Sequence, residues 1–149
     1  MKRQQILVTG GLGYFGSNVV VELLQNRYDV TIEDNFSNSE EFIIDRIENI
    51  TGHQPRLYKA DICDPSELNS VFTEIKFDAV VHLAAFKYVG ESVNQPLKYF
   101  NNKLCSLINL LGSMERYAVN NLISSSSATV YGVPEMLYHN EILNSPIIS

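Results

Sequence analysis

Val8-Thr9-Gly10-Gly11-Leu12-Gly13-Tyr14-Phe15-Gly16 joins an apolar run, residues 5–9, to a stretch of helical periodicity, residues 15–26, in which Val19, Val20, Leu23 and Leu24 share a face. A buried strand therefore runs into a glycine turn that opens a helix. Gly10, Gly13 and Gly16 are spaced three apart, and each position has a reason to lack a side chain. The first permits a tight turn, the second lets backbone approach a pyrophosphate, and the third lets the helix pack close to the strand. A helix N-terminus at this point holds phosphate through its N–H groups and its dipole, without any net positive charge on the protein. The expectation is a dinucleotide site; the alternative is a glycine-rich turn with no ligand.

Asp34 weighs against that alternative. It closes the second apolar run, residues 30–34, and lies 24 residues after Gly10. A carboxylate there accepts hydrogen bonds from both ribose hydroxyls and repels a 2′-phosphate, which favours NAD over NADP. Beyond it the alternation continues. Helices are predicted over residues 41–50, 65–75 and 96–117, and strands over 56–60, 78–83 and 122–125. Asp64 and Pro65 supply an N-cap and a first helical residue. The long third helix of this set carries Leu104, Leu107, Ile108 and Leu111, expected on its inner face. Five strands alternating with helices imply an α/β fold, a doubly wound parallel sheet with helices on both faces. Residues 1–132 form its one domain, and residues 133–149 lose periodicity and read as a loop or tail.

Composition sets the outer limits. A chain of 149 residues, 45% hydrophobic and 19% charged, is one soluble globular domain. Its net charge of -6 argues against a nucleic-acid partner, which would want a basic face. The N-terminal apolar run Ile6-Leu7-Val8 is shorter than a signal peptide needs and far from the roughly 20 residues of a spanning helix, so no membrane and a cytoplasmic location are expected. Cys63 and Cys105 stand 42 residues apart in no metal-ligand spacing and are expected to be reduced thiols. His82, inside an apolar strand, is expected to be a satisfied core histidine, and His53 and His139 carry no signal.

The Gly-x-x-Gly-x-x-Gly spacing resembles the extended short-chain dehydrogenase/reductase superfamily, whose nucleotide-binding half is a Rossmann-like sheet. Three further stretches narrow the resemblance. Asp34-Asn35-Phe36-Ser37-Asn38-Ser39 is similar to the loop that follows the adenosine ribose in UDP-glucose 4-epimerases. Val81-His82-Leu83-Ala84-Ala85-Phe86-Lys87-Tyr88-Val89-Gly90-Glu91-Ser92 resembles the same family's segment after the fourth strand, with Lys87 as its discriminating residue. Ser124-Ser125-Ser126-Ser127-Ala128-Thr129-Val130-Tyr131-Gly132 resembles its active-site serine segment. The likeness runs from about Ile6 to Gly132, in the family's order.

That resemblance implies roles. Tyr14 and Phe15 would meet the pyrophosphate through their amides, and Asp34 to Ser39 would follow the ribose. Asp61 and Ile62 would flank the adenine, although Asp61 also reads as a plain helix cap. Leu83, Ala84, Ala85 and Phe86 would line the cofactor, Lys87 would reach the nicotinamide-side ribose, and Asn102 would contact the cofactor from the long helix. Ser127, with Thr129 close by, would hydrogen-bond the reacting hydroxyl of a UDP-sugar. The implied reaction interconverts UDP-glucose and UDP-galactose through a 4-keto sugar on bound NAD, in galactose metabolism, with a homodimer possible at full length and no metal. The family's catalytic Tyr-x-x-x-Lys pair falls beyond the serine segment and is not among these residues. Tyr99-x-x-x-Lys103 fits the pattern on the wrong helix and is rejected. Lys103, Ser106 and Leu107 depart from the family's usual asparagine, glycine and threonine. The expectation is a chain truncated before the remaining strands and the substrate domain, inactive alone. A short NAD-binding paralogue, a non-enzymatic NAD-binding module and another nucleotide-sugar epimerase or dehydratase remain the alternatives.

Overall fold

The structure, a computed structural model, describes residues 2–84 and 96–125, with side chains of the second segment described from Leu104 onward. Five parallel strands form one sheet: β1 (Gln5–Thr9), β2 (Asp29–Asp34), β3 (Arg56–Lys59), β4 (Ala79–His82) and β5 (Leu122–Ser124), in the order β3-β2-β1-β4-β5. Four helices connect them: α1 (Tyr14–Gln25), α2 (Phe42–Thr51), α3 (Pro65–Glu74) and α4 (Pro96–Arg116). Every strand pairing is parallel, as right-handed strand–helix–strand crossovers require.

Alternation along β1 divides the core in two. Ile6 and Val8 face α1 and α2, packing with Val20, Leu24, Ile32 and Ile47. Leu7 faces the other way, toward Leu68, Val71 and Phe72 of α3 and Leu110 and Met114 of α4. The strand order reverses direction beside β1, between β1 and β4, and the carboxyl end of such a switch point is where open α/β sheets bind ligands.

Local signals account for the helix ends. The Asp64 carboxylate accepts from the Ser66 and Glu67 amides and Pro65 follows at the first helical position, so α3 starts there. Gly52, at φ +70°, ends α2 in the left-handed conformation that glycine adopts without strain. One expectation fails on α4. Leu104, Ile108 and Leu111 are exposed, and the helix packs inward through Ser106, Leu110, Ser113 and Met114. A helix with apolar residues on more than one face leaves its inner side undecided by periodicity. Here the small Ser106 and Ser113 face inward beside Leu110 and Met114. No helix among the described residues is long and apolar enough to cross a membrane.

Candidate functional site: the carboxyl edge of the sheet

The glycine turn is wound tightly enough that two of its glycines have no substitute. Gly10 has φ +67°, donates its N–H to the Glu33 carbonyl at 2.7 Å, and a Cβ there would stand 2.7 Å from the Ala84 nitrogen. A Cβ on Gly16 would stand 2.1 Å from the Gly10 carbonyl oxygen and 2.7 Å from the Gly11 Cα. Gly11, which the spacing argument did not count, lies against Ile32: a Cβ there would stand 2.7 Å from the Ile32 Cγ2. Gly13 is different. Its nearest neighbour would be 3.3 Å away, so packing alone constrains it much less. It is the N-cap of α1 and offers no side-chain cap, which presents the positive end of the helix dipole at the sheet edge between the exposed Tyr14 and Phe15.

Asp34 is tied to this turn directly. One carboxylate oxygen, Oδ2, accepts from the Leu12 amide at 2.9 Å; the other, Oδ1, accepts from the Phe36 amide at 3.0 Å and the Ser39 hydroxyl at 2.7 Å. A carboxylate has about four acceptor sites, so one remains, on Oδ2. Asp34 therefore pins the glycine turn to the loop behind β2. In that loop Asn35 accepts from the Ser37 amide, Phe36 adopts φ +60° with Lys59 Nζ 5.3 Å from its ring centre, and Ser37 and Asn38 are exposed.

The loop behind β3 is the third wall. Asp61 is not the cap of α3: its Oδ1 accepts from the Cys63 amide at 2.8 Å in a local turn, and its own amide donates to Glu67 at 2.7 Å. Ile62 is buried in the core shared with α3 and α4. The expectation of two reduced thiols is corrected here, because Cys63 and Cys105 form a disulfide, with Cα atoms 5.4 Å apart. Their 42-residue separation carries no signal because the fold makes the pairing, laying α4 over this loop. Asn109 on the same helix adds hydrogen bonds to the Ile62 and Cys63 carbonyls at 3.2 and 3.0 Å.

The last wall begins at Leu83 and Ala84. The Leu83 amide donates to the Thr9 carbonyl at 3.0 Å, and the Ala84 amide lies 3.4 Å from the Thr9 hydroxyl, so both sit directly against Gly10. His82 is the core histidine expected of an apolar strand: its Nδ1 is 2.7 Å from Thr9 Oγ1, and burial lowers its pKa. Ala85, Phe86, Lys87, Ser127 and Thr129 lie outside the described residues. Asn102 lies on α4, outside the described side chains.

The structure adds one residue that sequence reasoning missed. Glu33 is 1% exposed, and its pKa is raised to about 8, first by burial and then by the negative charges of Asp34 and Asp61. The available signal was its position one residue before the tip of a strand flanked on both sides, where either face is buried.

The sequence profile of the family described as GDP-mannose 4,6 dehydratase matches residues 7–144. A UDP-glucose 4-epimerase of Bacillus subtilis (strain 168) is 49% identical over 130 residues, covering 87% of this chain and 38% of that protein. One from Yersinia pestis is 48% identical, over 85% of this chain and 38% of its own length. Among solved structures, a UDP-glucose 4-epimerase from Stenotrophomonas maltophila with bound NAD and a formylated UDP-arabinopyranose superposes with a TM-score of 0.85 at 44% identity, over 90% of this chain and 40% of that one. The enzyme from Bifidobacterium longum in complex with NAD+ and UDP also gives 0.85, at 42% identity and the same coverage. The chain spans about two fifths of the length of these relatives. By its sequence and its sheet, this chain belongs to the GDP-mannose 4,6 dehydratase family, and within it is similar to the N-terminal part of UDP-glucose 4-epimerases.

Proposed function

We propose that these residues are the NAD-binding part of a nucleotide-sugar 4-epimerase acting on UDP-glucose and UDP-galactose. The observation that carries this reading is the hydrogen bond from the Leu12 amide to Asp34, which joins the glycine turn and the acid of a dinucleotide site into one unit at the switch point of the sheet. Gly13 supports it, since its missing side chain has no strong packing cause and leaves backbone open to a pyrophosphate.

NAD, when bound, supplies a hydride acceptor that returns the hydride to the opposite face of the sugar. The chain's own residues bind and orient. The α1 N-terminus holds the pyrophosphate, the remaining acceptor site of Asp34 takes a ribose hydroxyl, and Asp61 and Ile62 flank the adenine. A second ribose hydroxyl would require the Ser39 hydroxyl to turn away from Asp34 Oδ1. Lys87, Asn102, Ser127 and Thr129 are assigned to the nicotinamide half and the sugar on the resemblance of their segments. A UDP-sugar and a second copy of the chain are the partners of a protein of the relatives' length.

The test is titration of NAD into the purified chain, followed by calorimetry and thermal melting. Binding is expected, with NAD at 100 times Kd adding about 2.7 kcal/mol of stability, and with no interconversion of UDP-glucose and UDP-galactose by these 149 residues alone. An unchanged melting curve at saturating NAD would sink the reading.

A further inference from the structure

Consecutive residues of a strand point to opposite faces, so Asp34 and Glu33 look in opposite directions. Register sets Glu33 beside Thr9 on β1 and Tyr58 on β3, and sets Thr9 beside His82 on β4. The Glu33 carboxyl draws on the backbone N–H groups of Gly10 and Ile62, which belong to two different walls of the site. Its second oxygen, Oε2, is buried with no hydrogen-bond partner among the described residues.

The charges acting on it come from Asp34 on its own strand and Asp61 on the loop behind β3, both acidic. The remaining neighbours do not offset them. Tyr58 turns its hydroxyl to Glu74 on α3, His82 is paired with Thr9 and burial lowers its pKa, and Lys59 lies over the Phe36 ring. A neutral acid here still accepts through its carbonyl oxygen from the Ile62 amide, and it lies beside the Gly10 amide that the Glu33 main-chain carbonyl already holds. A carboxylate would be a third negative charge in one corner of the site.

Resting on the NAD reading above, we propose that the dinucleotide and a proton are taken up together at this corner. Neutral Glu33 is a positioning residue that holds the Gly10 and Ile62 backbone for the adenosine half, and its carboxylate form opposes an anionic dinucleotide. An anionic ligand docked beside these acids raises the Glu33 pKa further, so the complex keeps the proton to higher pH than the free protein does. Affinity is then highest below the free value of about 8 and falls as pH climbs above it. The ligand-free protein shows the same sign. The folded pKa lies above the unfolded one, so stability declines as pH rises from about 4.5 to about 8.

The experiment is calorimetric titration of NAD into the full chain and into Glu33→Gln, which keeps the shape and cannot ionise. Wild-type Kd is expected to rise about tenfold between roughly pH 7 and pH 9, with the variant flat across that range. The urea midpoint without ligand should fall between about pH 5 and pH 8 in the wild type and more weakly in the variant. Glu33→Leu, also untitratable, keeps the comparison decisive if glutamine upsets the fold. Parallel pH profiles in wild type and variant overturn the inference and leave NAD binding standing. No NAD binding at any pH removes both.

Discussion

Replacing Asp34 by alanine tests whether the glycine turn is held by this one carboxylate. The substitution removes three acceptor contacts, from Leu12 N, Phe36 N and Ser39 Oγ. They are not equal. Leu12 is fully buried, so its N–H loses its only described partner away from water, which costs about 1–3 kcal/mol. Phe36 N is half-buried and recovers part of its loss from solvent, at about 0.5–1.5 kcal/mol, while the Ser39 hydroxyl rotates outward for less. The sum is about 2–4 kcal/mol, a large share of the roughly 5–15 kcal/mol that holds a domain together. Urea unfolding of wild type and Asp34→Ala measures it, and amide exchange locates it: Leu12 should lose protection before β1 does. Asp34→Asn separates the contributions, because its amide can face Phe36 and Ser39 with oxygen only by turning nitrogen toward the Leu12 N–H. A variant within about 0.5 kcal/mol of wild type, with Leu12 still protected, would refute the argument that Asp34 organises the turn.

Three further outcomes follow from the same corner of the fold. Gly16→Ala drives a Cβ to 2.1 Å from a backbone oxygen that cannot rotate away, so it should cost at least about 1–3 kcal/mol in urea unfolding and abolish NAD binding. Gly13→Ala, with its nearest neighbour at 3.3 Å, should melt close to wild type and still weaken NAD; equal effects of the two on stability would contradict the separate roles given to them. Cys105→Ser opens a bond that closes 42 residues of chain, a loop-closure contribution of about 4 kcal/mol. Urea midpoints with and without reductant read this in the wild type, and a midpoint indifferent to reductant would show the bond to be idle.

The strands and helices were legible because each carries a strong local signal. Strand boundaries predicted at residues 56–60 and 122–125 differ from the observed Arg56–Lys59 and Leu122–Ser124 by one residue. Asp64-Pro65 marked the start of α3 to the residue, since capping is chemistry between neighbours in sequence. What stayed hidden depends on neighbours in space. The Cys63–Cys105 bond exists because α4 crosses the loop behind β3, a fact no spacing rule contains. The inner face of α4 was misread because both Leu104-Ile108-Leu111 and Leu110-Met114 satisfy helical spacing, and only packing chooses between them. Asp34 was singled out by its place at the end of the second apolar run, but its three protein donors were not, for they come from residues two to twenty-two positions away.

The pair Glu33-Asp34 shows why residue type alone could not settle this corner. Two consecutive acids sit at the tip of one strand and share one burial class. Alternation sends one toward the glycine turn, where two amides and a hydroxyl meet it, and the other toward the Ile62 loop, where one of its oxygens meets nothing described. Three donors meet the first acid, while burial outweighs the backbone hydrogen bonds that the second receives and favours its neutral form. The first acid therefore organises the turn as an acceptor. The second keeps its proton well above the ordinary glutamate range, with the first acid's own charge contributing to that shift. A site built this way couples its two walls through charge as well as through contact: removing the Asp34 charge by mutation also eases the ionisation of Glu33 across the strand.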